Sequence, residues 1–388
     1  MERFIERRTA TDVGLFLDVR RYRGRWQYRA KNQAGAFDQV GNFKKTMRKH
    51  YSYFILLAIV FSMTGSPVVA QDPIFSQFFS SPLSINPALA GNGDADWRFV
   101  ANMRNQTLGF GGGSLTTNSF SLDGKIFRQK DKPVNYIGGG FLFLQDAGLG
   151  GAYQRNSLQA MVCSHVSLDE DDSHGLTLAL GGAYSNTMID FSQLSFSQQL
   201  SSSGFNRSLP INEPFLSNVK PYYSLTAGVT YTITTDDANF DIGVAGYRFL
   251  KTNRTALSDP TQLDPPRYNF HADFQSYIDE KTVFNANALY VSETGLNTYT
   301  FGVNFGRILS DMNATEAPSV FNLGLFYRGN QAVIPYLGFM YKSFQAGLTY
   351  DVNVGASTAA VGYLKTFEFS LIFRSPKRSG RGIPCPWK

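Results

Sequence analysis

The chain has 388 residues, and its 43% hydrophobic content comes with 33 Phe, 20 Tyr and 36 Gly but only 17% charged residues. Aromatic and Gly enrichment without long apolar runs suits a membrane β-barrel better than a soluble enzyme. The formal charge of +6 does not indicate nucleic-acid binding: residues 1–70 hold 13 basic and 5 acidic side chains, leaving 23 basic and 25 acidic in 71–388.

Residues 1–46 are Arg-rich and show no steady apolar period, so they predict a disordered stretch. The simplest account is an over-extended start, with translation beginning at Met47; a genuine basic extension is the alternative. Residues 47–70 carry Arg48 and Lys49, an apolar run from Tyr53 to Met63, then Val68-Val69-Ala70. A positive start, a short apolar core and small residues before a cleavage point form a secretory signal peptide. The run is too short to span a bilayer as a helix, which needs about 20 residues.

Residues 71–96 come next, broken by Pro73, Pro82 and Pro87 and carrying Phe75, Phe78, Phe79, Leu83 and Ile85. They lack alternation. Such a segment predicts a plug or partner-docking segment at the periplasmic mouth, or a stretch that merely fills the lumen.

From residue 97 to 374 the chain alternates apolar and polar residues again and again. In 223–234, Tyr223, Leu225, Val229 and Tyr231 interleave with Ser224, Thr226, Thr230 and Thr232; in 344–353, Phe344, Leu348 and Tyr350 interleave with Gln345, Thr349 and Asp351. Successive strand side chains point to opposite faces, so each segment has one greasy and one polar side. Strands are predicted near 97–107, 116–128, 134–146, 153–168, 174–188, 219–234, 238–251, 268–279, 282–293, 297–309, 319–329, 332–341, 343–353 and 359–374. About fourteen strands, many near the 10 residues that cross a bilayer when tilted, predict an all-β, transmembrane antiparallel barrel. With the N-terminus in the periplasm, the inward turns 129–133, 169–173, 235–237 and 279–281 are short. The outward loops 189–218 and 252–267 are the longest. Short periplasmic turns and long external loops are the expected asymmetry, although 310–318 is longish and 329–331 tight.

Several features resemble sites and do not carry chemistry. The acidic run 169–172 lacks the Gly and final Glu of a calcium loop. Gly111-Gly112-Gly113 and Gly138-Gly139-Gly140 lack the Lys-Ser/Thr that follows a phosphate-cradling loop. A barrel hydrolase would need Ser, His and an orienting group together, and His165, His174 and His271 have no serine-elbow motif nearby. The two Cys, Cys163 and Cys385, form neither a CxxC nor a zinc spacing. No cofactor or metal is expected. On the polar faces, Asp123, Lys125, Asp351 and Glu368 are predicted lumen charges, because a cation on the lipid face costs about 2–4 kcal/mol at the midplane. They would either tune a channel or pair with one another. The tail 375–388 is predicted to be basic and periplasmic, with Lys377, Arg378, Arg381 and Lys388.

The start of the mature chain resembles a known family. Gln71-Asp72-Pro73-Ile74-Phe75-Ser76-Gln77-Phe78-Phe79, followed by Pro82 to Gly91 with Asn86 and Pro87, is similar to the opening of the PorP/SprF family. Arg104-Asn105-Gln106, Gly324-Leu325-Phe326-Tyr327-Arg328, Ile334-Pro335, the run from Gly347 through Asp351 to Asn353, and Pro384-Cys385-Pro386 extend the resemblance over 71–388. The tail departs by ending Trp387-Lys388. The resemblance implies a non-enzymatic outer-membrane component of the type IX secretion system, linked to gliding motility. Its expected partners are outer-membrane lipid, a secreted adhesin or other cargo protein, and periplasmic secretion-system lipoproteins. An outer-membrane channel or transporter for small solutes is the competing expectation.

Overall fold

The computed structural model describes residues 17–22, 25–30, 73–107, 114–130, 134–202, 204–206, 208–210, 220–249, 266–293, 295–309, 319–354 and 365–375. The chain divides into two units, 1–66 and 67–388. In the first, Leu17–Tyr22 and Arg25–Ala30 pair as an antiparallel hairpin.

The second unit is a closed ring of fourteen antiparallel strands. They are β1 (Trp97–Thr107), β2 (Ser114–Arg128), β3 (Tyr136–Gly148), β4 (Tyr153–Ser167), β5 (His174–Ile189), β6 (Tyr222–Thr234), β7 (Ala238–Tyr247), β8 (Arg267–Asp279), β9 (Thr282–Glu293), β10 (Leu296–Ile308), β11 (Val320–Arg328), β12 (Ala332–Tyr341), β13 (Phe344–Asn353) and β14 (Lys365–Arg374). Each pairs with its sequence neighbour, and β14 closes on β1, with Glu368 opposite Arg104. Closure leaves no unpaired edge, which is what a lipid environment demands of a sheet. Among the described residues, no helix is long and apolar enough to cross a membrane.

The predicted segments coincide with these strands, with two ends read too long. The ladder starts at Tyr222 rather than 219 and stops at Tyr247 rather than 251; the predicted start of the last strand, 359–364, lies outside the described residues. At the second of these, Arg248 takes φ 62°, a left-handed turn that breaks extension. In the long connection after β5, Leu200–Ser201 and Gly204–Phe205 form a short hairpin.

The faces are inverted relative to a soluble protein. Leu180 is 67% exposed and Phe141 60%, whereas Glu368 is 1% exposed and Asp123 3%. The greasy row of each strand faces outward and the polar row lines the lumen, so lipid is the solvent that this surface fits. Aromatic residues cluster near both rims: Trp97, Phe344 and Phe373 at one, Tyr184 with Tyr223 and Phe249 with Tyr268 at the other. Amphipathic rings favour the two membrane–water boundaries. The connections 190–221 and 248–266 leave from the second rim, the long-loop end, and 235–237, 280–281 and 342–343 from the first, the short-turn end. Pro335 offers no N–H, and the β12–β13 ladder skips positions 334 and 335.

Candidate functional site

The polar rows would enclose a wet channel if nothing else entered. Residues 73–96 enter. Phe78 and Ile85 pack with Leu289, Val291, Phe326, Ile334 and Tyr336 on one side of the lumen. Leu83, Ala88 and Ala90 pack with Tyr136, Leu142, Cys163 and Ala179 on the other. Three short turns, Phe78–Ser80, Pro82–Ile85 and Pro87–Leu89, fold the segment between them. Proline suits the first position of such turns, where its missing N–H costs nothing.

At the long-loop end the segment is held by charge. The Glu368 carboxylate accepts from the backbone N–H groups of Ser76 at 2.7 Å and Gln77 at 3.0 Å, and lies 3.1 Å from Arg104 Nε. Ser76 Oγ donates to Asp351 at 2.7 Å, and Arg328 donates to both Asp351, at 2.9 Å, and Ser76 Oγ, at 2.5 Å. Gln77 is flanked by Ser370, whose hydroxyl donates to Oε1 at 2.7 Å, and donates in turn to Thr349 at 3.3 Å. Two cations and two anions, each buried, are thus closed into one network by a serine and two main-chain amides. Burying charge is costly unless it is paired and hydrogen-bonded, so the network holds its shape only with the segment in place.

In mid-lumen Asn86 is the fixed point. Its Nδ2 donates to Val229 O at 3.0 Å and Thr230 Oγ1 at 3.1 Å, and lies 3.1 Å from His271 Nε2. Its Oδ1 accepts from Ala88 N at 2.9 Å, capping the turn that begins at Pro87. The wall makes room with glycine: a Cβ on Gly228 would stand 2.0 Å from Asn86 Oδ1, and one on Gly243 would stand 2.8 Å from Asn86 Nδ2. A slot cut this closely fits one particular side chain, which argues against random filling. His271 is oriented from behind by Asp273, 3.0 Å from Nδ1.

At the short-turn end Asp123 accepts from Gly91 N at 2.8 Å and from Arg98 at 3.1 and 2.9 Å. Lys125 donates to Gly93 O, and Arg128 pairs with Asp96. A pattern runs through these contacts. Wall side chains repeatedly donate to carbonyls of the segment: Arg104 to Ile74 O, Asn102 to Ser80 O, Arg267 to Ser84 O, Asn269 to Ile85 O, Arg98 to Leu89 O and Cys163 to Ala90 O. The lumen reads main chain.

Most of the sequence-predicted positions converge here. Phe75, Ser76, Gln77, Asn86, Pro87, Gly91, Arg104, Asp351, Asp123, Lys125 and Glu368 lie in or against the segment, and Pro73 lines a cavity at the long-loop end with Arg155, Tyr222, Arg248 and Arg267. Asn105 sits on the outward row and donates to Thr116 at 3.2 Å. Gln106 and Asn353 stand on lumen rows near strand ends. Gln71, Asp72 and Cys385 lie outside the described residues, as does Gly111-Gly112-Gly113. Sequence reasoning missed Arg98 and Asn269, and weighed His271 only as a hydrolase candidate, although each occupies a polar-row position where a large side chain has to meet something in the lumen. His165 and His174 are wall residues, within 2.8 Å of Thr177 Oγ1 and 2.7 Å of Tyr231 OH. The acidic run is a turn in which Asp169 accepts from His174 N and Ser173 N, each at 3.0 Å. The His174 amide foremost holds the Asp169 carboxyl below the usual carboxylate range. Among the described residues no acidic, His or Cys cluster could hold a metal ion.

Against solved structures, the chain is similar to CdiB from Acinetobacter baumannii, at 9% identity and TM-score 0.40, covering 72% of this chain and 60% of that one. It is similar to the Ralstonia pickettii toluene transporter TbuX, at 10% identity and TM-score 0.43, covering 77% and 94%. It is also similar to the CymD monoaromatic hydrocarbon channel, at 11% identity and TM-score 0.44, covering 80% and 95%. At such scores the likeness says nothing of role. No curated protein matches the chain. Residues 68–373 match the family model described as type IX secretion system membrane protein PorP/SprF. The latched segment and the closed ring fall almost wholly inside that match, and the chain belongs to the PorP/SprF family.

Proposed function

We propose that this outer-membrane barrel is a non-enzymatic part of the type IX secretion system that aids export or surface anchoring of a secreted protein such as a gliding adhesin. The observation that carries the proposal is the segment 73–96. It is bound on every side by hydrogen bonds, ion pairs and apolar packing, where a solute channel would keep open water. A family tied to secretion and a lumen built around polypeptide point the same way. In this reading 47–70 directs export and is removed, and 71–96 is a plug. The tail 375–388 stands in the periplasm, within reach of the system's lipoproteins, and the long loops 190–221 and 248–266 face outward.

Deleting the gene is expected to strip one large surface protein while leaving uptake of small solutes intact. Unchanged surface display in the deletion strain would sink the proposal. The rival role, a channel for small solutes, predicts stable conductance from the purified protein in planar bilayers. The plugged lumen predicts silence under the same conditions.

A further inference from the structure

Below the plug, toward the short-turn end, lies a second polar cavity. Segment and wall share its lining, and its wall is unusual in composition: Asn285, Asn287, Asn304, Asp241, Asp273 and Gln345 all face it. Asn285 Nδ2 donates to Asn304 Oδ1 at 3.0 Å, and Asn287 Nδ2 donates to Asp273 Oδ1 at 2.8 Å. Each pair leaves one half of an amide over. Asn304, 1% exposed, has a buried Nδ2 with no partner, and Asn287 has a buried Oδ1 with none. A buried polar atom left unpaired is costly, so a ligand that completes both of these would be favoured here.

Such a ligand supplies one acceptor and one donor. Asn285 and Asn287 are two residues apart on one face of β9, and Asn304 stands opposite Asn285 on β10. The spare donor and spare acceptor are therefore spaced on the order of 7 Å, the two-residue repeat of an extended chain. Peptide groups present a C=O and an N–H at that repeat. The same lumen already uses amide side chains for this purpose, through Asn102 on Ser80 O and Asn269 on Ile85 O. Two carboxylates line the space as well: Asp241, which accepts from Asn92 Nδ2 at 3.1 Å, and Asp273, which accepts from Asn287 and lies 3.0 Å from His271 Nδ1; Arg374, also in the lining, donates to Gln345 at 2.8 Å.

We propose that this cavity is a binding site for an extended polypeptide segment of a partner protein, entering from the short-turn end. The segment is gripped through its main chain by Asn287 and Asn304, and a lysine or arginine on it faces Asp241 and Asp273. Recognition of this kind tolerates sequence variation, since every residue but proline carries the same two groups. The proposal deepens the export role and rests on it, and its test is separate from the deletion phenotype because it reads binding in the purified barrel.

The probes are an end-capped Ala-Lys-Ala-Lys-Ala peptide, its Ala-Glu-Ala-Glu-Ala counterpart, and maltopentaose. Each is titrated calorimetrically into the full-length processed protein in detergent. The lysine peptide is expected to bind at least tenfold more tightly than the glutamate peptide. The double variant Asn287→Leu with Asn304→Leu is expected to lose that binding at least tenfold. Should the double variant misassemble, Asp241→Asn keeps the shape, removes one of the carboxylates that face the lysine and is expected to weaken lysine-peptide binding severalfold. Maltopentaose binding more tightly than either peptide would make the site a glycan site and overturn the proposal. So would the absence of peptide binding to a folded barrel, or lysine-peptide affinity unchanged in the folded variants.

Discussion

Replacing Glu368 by Ala tests whether the plug is a structural member or a passenger. The carboxylate is 1% exposed and faces Arg104 at 3.1 Å, with the Ser76 and Gln77 amides at 2.7 and 3.0 Å. Removing it leaves the Arg104 guanidinium, 7% exposed, buried without its anion. Breaking a buried pair from one side costs about 3–5 kcal/mol, and each charge-assisted hydrogen bond lost is worth about 1.5–3 kcal/mol. The two contributions overlap, because water admitted to the emptied site solvates the cation and the amides together, so we expect a loss of about 3–5 kcal/mol rather than their sum. Glu368→Gln keeps the shape and an acceptor, and is expected to lose about half as much. The assay is urea unfolding of the barrel in lipid vesicles, run beside limited proteolysis of residues 73–96. In the Ala variant cleavage near Ser76 should accelerate while the strands stay protected. A loss below 1 kcal/mol with the segment still protected would refute the claim that this network fastens it.

Three further outcomes follow from the same physics. Gly228→Val drives a Cβ into the space of Asn86 Oδ1, so it is expected to cost about 1–3 kcal/mol and to expel the mid-lumen turn, read as new conductance in planar bilayers. Leu180→Arg, on an outward row and 67% exposed, should destabilise the barrel by about 2–4 kcal/mol in bilayers if it lies near the midplane, measured by the same urea unfolding. Asp169, a carboxylate whose folded pKa is depressed chiefly by the His174 amide, stabilises its turn above the ordinary carboxylate range. That contribution is lost as pH falls through the lower folded value, so Asp169→Asn should flatten the acid side of the turn's amide-exchange profile.

The architecture was legible because one rule, alternation with period two, holds in strand after strand of the fourteen-strand ring. A strand that must show grease to lipid and polarity to the lumen has little freedom to depart from it. The ends were less legible because they depend on single backbone events. Arg248 leaves the ladder through φ 62°, and nothing in its neighbours Tyr247 and Phe249 announces that turn. The site was legible in part. Ser76, Asn86, Arg104, Asp351 and Glu368 stood out as motif positions or as charges on a polar row. Their assembly did not, since Ser76 meets Asp351 across 275 residues of sequence and alternation fixes only a face, not a partner. Arg98 was passed over, and His271 weighed only as a hydrolase candidate, because a lone basic residue on a polar row looks the same in sequence whether it faces water or a carbonyl.

The covalent link between plug and wall settles how such a lumen can be both tight and addressable. Residues 73–96 run straight into β1, so the segment docks as an intramolecular ligand, at an effective concentration in the millimolar range for a short connection. A free peptide competing for the Arg104–Glu368 network would have to overcome that advantage as well as the hydrogen bonds. At the cavity below, among the described residues, Asn287 Oδ1 and Asn304 Nδ2 are left over by the wall's own pairs with Asp273 and Asn285. A partner bound there as proposed would engage the barrel without first dislodging its own chain, and any cost of opening the lumen would be met afterwards, from binding already made.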